Sequence, residues 1–351
     1  MPKTTGKLWE QVIHFDNIYS AYLAAQEGHR TKRPALAFRD RLEENLIQLQ
    51  NELIWHQWRP SPPHYFTIKD PKPRCIAAPA FRDRVAHHAL VQIIEPCFER
   101  RFISDSYACR AGKGTHAAVR RAQQMIRSAQ DAWCGHVYIF KGDIKSYFKS
   151  IDHGILKKIN RRTIRDRDAL WMLDRIIDAG GDGDKGLDIG ALTSQLEANV
   201  YADILDHQVK DVWRYQYYER YMDDFIILGG SKTDVRAAMR DVSNFVDENL
   251  MLKLNPKSGV FPASQGLDFC GYRIWATHIL PRKRNTRGIQ KKLRGMARRY
   301  AEGALDIDVA WQTIASYLGY MKHCNGYRTK ATFLEDLVFS RARRKDDENN
   351  Q

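Results

Sequence analysis

Tyr221-Met222-Asp223-Asp224 is the stretch that most narrows what this chain can become. It sits within Glu219-Arg220-Tyr221-Met222-Asp223-Asp224-Phe225-Ile226-Ile227-Leu228, where a tyrosine-rich run reverses into an Ile/Leu run. Two adjacent carboxylates are therefore expected at a tight turn between two strands. Acids among apolar strand residues are costly unless a cation compensates them. Eighty residues upstream (223 − 143), the alternating run from His136 to Ile144 carries Asp143 near its end. Two strand-end carboxylate sites of this kind suit a shared pair of Mg²⁺ ions, the arrangement used for in-line displacement at phosphorus. Taken singly, each aspartate also reads as a cap or turn former.

Charge points to the partner. The 351 residues hold 56 Lys+Arg against 42 Asp+Glu, a formal net charge of +14, which fits a polyanion. No apolar run approaches the ~18 residues needed to span a bilayer. Met1-Pro2-Lys3-Thr4-Thr5-Gly6 lacks the apolar core of a signal peptide, so a cytoplasmic protein without a membrane partner is expected. Six scattered cysteines without a C-x-x-C pair are expected to be reduced, mostly buried thiols.

Between Leu8 and Trp58, Ile18, Tyr19, Tyr22 and Leu23 and then Leu42 to Leu53 recur at helical spacing, and Pro60, Pro62 and Pro63 stop it. Tyr65-Phe66-Thr67-Ile68 and Cys75-Ile76-Ala77-Ala78 read as strands joined by the basic turn Lys69-Asp70-Pro71-Lys72-Pro73. Arg84 to Arg101 reads as a helix with Pro96 as kink or boundary. Asp152 is expected to cap a helix opening at His153. Further helices are expected over 166–179, Thr193–Trp213 and 233–249, with short strands near 258–262 and 267–274. The loop from Gly180 to Gly186 lacks the ligand spacing of a calcium loop and reads as solvated. Phe269 to Ala301 contains no acidic residue, so Arg282, Arg284, Lys291, Lys292 and Arg298 stand unopposed there. Such a run is either a solvated face or a track for phosphates.

The basic turn, aspartate-ended strand, Gly/Ser helix start, Asp-Asp hairpin and basic helical end follow one another over nearly the whole chain. Their order resembles the fingers, palm and thumb of reverse transcriptases. The resemblance implies an α+β right-hand polymerase fold. An N-terminal helical extension would cover 1–64, fingers 65–135, a palm with primer grip 136–280, and a basic helical thumb with polar tail 281–351. Phe140-Lys141-Gly142-Asp143-Ile144-Lys145-Ser146-Tyr147-Phe148 is similar to the first palm motif, and the Asp223-Asp224 hairpin to the second metal-binding one. By that resemblance Asp143, Asp223 and Asp224, with the Ile144 carbonyl, hold two Mg²⁺ ions. Phe148 takes the place of an aromatic gate under the sugar, Lys69 and Arg74 those of triphosphate-gripping residues. Lys257, in Leu254-Asn255-Pro256-Lys257-Ser258, takes that of a lysine that protonates pyrophosphate. Phe269-Cys270-Gly271-Tyr272 resembles the primer grip, and Arg284, Lys291, Lys292 and Arg298 would follow the nucleic acid. Core packing for Phe148 and an exposed structural role for Lys257 are the plainer alternatives.

Within that family, Ser106-Tyr107-Ala108-Cys109-Arg110-Ala111-Gly112-Lys113-Gly114-Thr115-His116 and Phe81 to Leu90 resemble the fingers motifs of diversity-generating retroelement enzymes. The tandem His87-His88 point apart on a helix, which favours packing over metal binding. Ile189-Gly190-Ala191-Leu192-Thr193-Ser194-Gln195 is the sharper mark. Most reverse transcriptases carry Gln-Gly at its start and Ser-Pro at its end; Ile189 and Gln195 replace the glutamine and the proline, as in this family. The resemblance places Ile189, Gly190 and Gln195 at the dNTP. It implies copying of a template-repeat RNA into cDNA with errors opposite adenine, for replacement of a variable region in a target gene. A basic oligomeric accessory protein is the implied partner, beside template RNA, primer or cDNA strand and dNTPs. An apolar Ile189 would remove a polar contact that helps police base-pair geometry. No nuclease, integrase or maturase segment is expected after the thumb, and the Asn-Ala-x-x-His signature of retron enzymes is missing. A phage-defence or domesticated reverse transcriptase would keep the same motifs. A non-catalytic nucleic-acid scaffold would have lost a metal ligand, whereas all three carboxylates are present.

Overall fold

The structure, a computed structural model, describes residues 6–69, 73–335 and 337–341. Asp70, Pro71 and Lys72 of the basic turn and the polar tail from 342 onward lie outside the described residues.

The amino-terminal helical spacing resolves into four helices, α1 (Trp9–Val12), α2 (Phe15–Ala25), α3 (Arg33–Asp40) and α4 (Leu42–Ile54). The strands β1 (His64–Ile68) and β2 (Arg74–Ala78) pair antiparallel, with Phe66 opposite Ile76. Helix α5 (Phe81–Glu99) runs through Pro96, whose missing donor falls in the last turn. Helix α6 (Thr115–Ala132) was not evident from periodicity, because Ala118, Ala122 and Ala129 supply half of its buried face. Then come β3 (Tyr138–Asp143), α7 (Tyr147–Ser150), α8 (His153–Arg161), α9 (Arg167–Ala179) and α10 (Leu192–His207). Asp152 caps α8 by accepting from the Ile155 N–H at 3.0 Å. Asp166 caps α9 and also accepts from the N–H groups of Leu8 (2.6 Å) and Trp9 (3.0 Å), fastening α1 to α9. The helix expected to reach Trp213 stops at His207, and Gln208–Val212 continues as a π-helical turn.

The chain goes on through β4 (Tyr218–Tyr221), β5 (Asp224–Gly229), α11 (Lys232–Leu250) and β6 (Gly259–Pro262). It ends with β7 (Leu267–Phe269), β8 (Tyr272–Ile274), β9 (Ile279–Pro281), α12 (Lys283–Ala301), α13 (Ile307–Met321) and α14 (Tyr327–Glu335). Strands β4-β5-β3-β6 form one sheet in that order, and β7-β8-β9 form an antiparallel three-stranded sheet.

Two compact units are present. One comprises Met1–Gly112, Lys141–Ile226 and Arg236–Gly259. Its core centres on α5, whose Val85, Ala89, Leu90 and Ile94 are buried where α2 and α10 pack against it. The other comprises Lys113–Phe140, Ile227–Val235 and Val260–Gln351, with a core of Leu293, Met296, Ala310, Tyr317, Met321 and Phe333.

All six cysteines are free, but only Cys97 is buried; Cys75, Cys109 and Cys134 are exposed. This corrects the expectation of mostly buried thiols. Cys109, Cys134 and Cys270 occupy positive-φ turn positions, which lie at the surface. Among the described residues, no helix is long and apolar enough to cross a membrane.

Candidate active site

Asp143 ends β3, and Asp223 occupies the two-residue turn between β4 and β5. Backbone hydrogen bonds fix the two aspartate segments together. The Ile144 N–H donates to the Asp223 carbonyl at 3.1 Å, and the Asn255 N–H donates to the Asp143 carbonyl at 2.7 Å. Ser258 Oγ accepts from the Asp143 N–H at 3.0 Å. Strand alternation sends Lys141 and Asp143 to one face of β3 and Gly142 to the other. Gly142 lies against the Phe225 ring, where an added Cβ would come within 2.1 Å of Cζ. A larger residue at this position would have to displace the Phe225 ring.

The electrostatics follow from that proximity. Burial, then the charges of Asp224 and Asp143, push the Asp223 carboxyl up to about 6, while its own backbone N–H and Arg74 pull the other way. Lys141 Nζ lies 3.3 Å from Asp224 Oδ1, so that carboxylate already has a cation. Asp143 and Asp223 are left as hard oxygen donors that repel one another. Among the described hydrogen bonds none ends on the Ile144 carbonyl oxygen, which adds a third donor. Among the described residues no group of three or more His, Cys, Asp or Glu could hold a metal ion. Mg²⁺ is commonly held by one or two carboxylates, waters and substrate phosphates rather than by an all-protein cage, and this donor set fits that habit.

The turn itself depends on a residue that motif reading passed over. Met222 adopts φ 58, a conformation glycine normally supplies in hairpins of this length. Arg220, fully buried, donates from Nη1 to the Met222 carbonyl at 3.1 Å and to Asn199 Oδ1 at 3.0 Å. Its Nε and Nη2 reach the buried Asp206 carboxylate at 2.8 and 2.7 Å, and Nη2 also reaches Ser106 Oγ at 3.1 Å. Tyr218 donates to the same carboxylate at 2.6 Å. The adjacent charges Glu219 and Arg220 inside a buried strand were the available signal, since a buried guanidinium requires partners. Nothing in the sequence identified Asp206, and Ser258 gave no signal.

Several residues expected at the nucleotide lie along one connected backbone. Arg74, at the start of β2, is exposed and its charge acts on Asp223. Further along β2, the Ala77 N–H donates to the Ile189 carbonyl at 3.0 Å. Gly190 sits at φ +127, where an added Cβ would meet Ile76 Cγ2 at 2.9 Å and the Ala77 carbonyl at 3.0 Å, so the segment must present glycine to β2. Half-buried Phe148 accepts from the Leu187 N–H at 2.7 Å. Gln195 is exposed on the first turn of α10 and, with Gly190, lines a cleft shared with Glu27, His29, Arg84 and His88. Lys69 is exposed. Lys257 is exposed too, its N–H bonded to Asn255 Oδ1 at 3.1 Å.

In the other unit, Cys270 and Gly271 form the turn between β7 and β8 with φ 48 and 86. Tyr272 is fully buried, stacks on Tyr320 with ring centroids 4.6 Å apart, and donates to its carbonyl at 3.0 Å. It therefore holds the hairpin from behind. Arg284, Lys291, Lys292 and Arg298 are all exposed on α12. Arg282, expected to stand unopposed, is paired with Asp268, which lies one residue before the acid-free stretch.

A family model described as reverse transcriptase (RNA-dependent DNA polymerase) matches residues 68–274. Protein YkfC of Escherichia coli (strain K12) is 27% identical over 279 residues, covering 67% of this chain and 72% of that protein. Nuclear intron maturase 1, mitochondrial, of Arabidopsis thaliana is 30% identical over 96 residues, covering 27% of this chain and 12% of the maturase. Group II intron-encoded protein LtrA of Lactococcus lactis subsp. cremoris is 23% identical over 345 residues, covering 76% of this chain and 56% of LtrA. Among solved structures, telomerase from Candida albicans in complex with a fragment of telomeric RNA aligns with a TM-score of 0.49 and 12% identity. That alignment covers 68% of this chain and 51% of the telomerase chain.

Proposed function

This chain belongs to the reverse transcriptase (RNA-dependent DNA polymerase) family, and from that premise we propose that it copies an RNA template into DNA at the Asp143–Asp223 pair, with two Mg²⁺ ions as cofactors. The observation that carries the reading is the backbone-locked approach of Asp143 and Asp223, with the Asp223 carboxyl pushed up to about 6 by burial and by its acidic neighbours. Asp143 and Asp223, with the Ile144 carbonyl, hold the ions, and Asp224 stays paired to Lys141. When bound, the ions supply activation of the primer hydroxyl and neutralisation of the departing pyrophosphate. Arg74 grips the triphosphate as a bidentate fork and Lys69 as a mobile point charge. Phe148 closes the space under the sugar against a 2′-hydroxyl. Lys257 delivers a proton to the leaving group. Cys270, Gly271, Arg284, Lys291, Lys292 and Arg298 hold the primer and template strands, with Tyr272 supporting the turn.

The finer reading is a diversity-generating retroelement enzyme that turns a template-repeat RNA into adenine-mutagenised cDNA for mutagenic retrohoming, aided by a basic oligomeric accessory protein. Ile189 and Gln195 support it, standing where most of the family has glutamine and proline. The β2 contact at Ile189 and Gly190 also joins their segment to the strand that bears Arg74. A domesticated or phage-defence enzyme is the second reading, since it would keep the same carboxylates and the same chemistry.

Primer extension on an RNA template with Mg²⁺ and dNTPs, sequenced by template base, tests both. Errors concentrated at template adenines support the mutagenic reading. Accurate copies or template-independent addition move the function to the second. Asp223→Ala is expected to abolish extension while leaving RNA affinity largely intact, and normal extension by that variant would overturn the site.

A further inference from the structure

A cleft in the second unit has no part in the chemistry above. His116 on α6 and His323 just after α13 stack with ring centroids 3.5 Å apart and planes 16° from parallel. The cleft around them is lined by Arg120, Lys322, Cys324 and Asn325 and, among the described residues, by no carboxylate. Its wall is built firmly: Asn325 Oδ1 accepts from the Ile279 N–H at 2.9 Å, and the Asn325 N–H donates to the Ile279 carbonyl at 2.7 Å. The His116 ring also meets Tyr272 edge-on at 6.1 Å. Tyr272 stacks on Tyr320, and the Tyr320 hydroxyl donates to the Gly271 carbonyl at 2.5 Å. The cleft thus rests on the residues that set the β7–β8 turn.

No described hydrogen bond joins either imidazole to another side chain or to the backbone. Two stacked imidazoles beside two permanent cations form a site that only an anion completes. On that geometry, and resting on the polymerase reading, we propose that His116, His323, Arg120 and Lys322 seat one phosphate of the primer-strand backbone, and that the seat tightens as an imidazole takes up a proton. Burial, then the charges of His323 and Arg120, hold the His116 ring below its ordinary range while the seat is empty. A phosphate reverses the balance, because an adjacent anion favours the protonated ring. The other titratable groups against the pair are Tyr272 on β8, Tyr320 on α13 and Cys324. Burial raises all three, so they stay neutral across the window in which the imidazoles titrate.

The test is fluorescence anisotropy of a labelled DNA primer on an RNA template, titrated with the full chain. The His116→Gln/His323→Gln double variant is expected to bind about tenfold more weakly than wild type near pH 6 and less than about twofold more weakly near pH 8.5, the gap of one charge-assisted contact. His323→Arg is expected to keep wild-type affinity near pH 6 and to hold more of it than wild type near pH 8.5, weakening the pH dependence. Replacing successive primer phosphates by uncharged methylphosphonate should locate one position that erases the same pH-dependent gain. An unchanged pH dependence in the double variant overturns the seat. Displacement by millimolar inorganic phosphate with no sensitive methylphosphonate position also overturns it, giving a free-anion site instead. The polymerase reading is scored separately, by Mg²⁺-dependent extension in wild type and its loss in Asp223→Ala.

Discussion

Two hairpins in this molecule have the same length of turn, and in both a side chain grips a turn carbonyl, but they meet the backbone demand of the turn with different residues. Between β7 and β8, Cys270 and Gly271 both take positive φ, and the second is glycine, for which that conformation is unstrained. Between β4 and β5, Met222 takes φ 58 with a side chain attached. That backbone is held by Arg220, which grips the Met222 carbonyl and is itself clamped by Asp206. The Tyr320 hydroxyl grips the Gly271 carbonyl in a similar way at 2.5 Å, but only the aspartate turn adds a buried ion pair, with partners as distant as Ser106. The difference matches their proposed tasks. A turn that carries a carboxylate partly against its ionised state is held by a charged clamp, whereas the turn built on glycine is held by a neutral hydroxyl.

Breaking the tertiary clamp should have the largest effect. Arg220→Met strands the buried Asp206 carboxylate and is expected to cost about 3–5 kcal/mol of stability in denaturant unfolding. Arg220→Lys, which keeps the charge but not the fork, should recover part of that, with kcat lowered more than the KM for dNTP. Equal loss in both variants would reduce Arg220 to a buried charge with no positioning role.

The next expected effect is on pH and metal. The Asp223 carboxyl is raised from 3.8 to about 6, so between those values the folded chain binds more protons than the unfolded one. Metal-free stability should therefore fall as pH rises through that window, and Mg²⁺ should restore it above about pH 6. Melting temperatures from pH 4 to 8 with and without Mg²⁺ will show it, and Asp223→Asn should flatten the slope.

Smaller effects separate the two turns directly. Gly271→Ala places a Cβ at φ 86 and should cost about 1–2 kcal/mol. Met222→Gly relieves a similar conformation but removes a buried side chain and frees the unfolded chain, so it should cost about 1–3 kcal/mol. A loss in Met222→Gly as large as that in Arg220→Met would mean that the methionine side chain, not Arg220, holds the aspartate turn.

The elements around the aspartates were legible because alternation and turn chemistry are local. β3, β5 and the turn at Asp223 lie where Ile/Leu alternation and the tight reversal put them. Helix α6 was not legible, since alanines pack well and signal weakly. The end of α10 at His207 was missed because apolar periodicity carries on into the π-helical turn. The acid-free stretch misled at Arg282, because its partner Asp268 stands just outside it.

The sequence by itself determined the class of this protein: paired strand-end carboxylates, a basic end and the order of motifs along the chain. Each of these is a property of neighbouring residues, so a one-dimensional reading reaches it. Only the tertiary structure decided which donors meet. Arg220 finds Asp206 and Met222, Ser258 finds the Asp143 backbone, and Lys141 pairs with Asp224. Burial and the approach of charges across elements set both the partner of a guanidinium and the protonation of a carboxylate, and neither is a function of sequence distance.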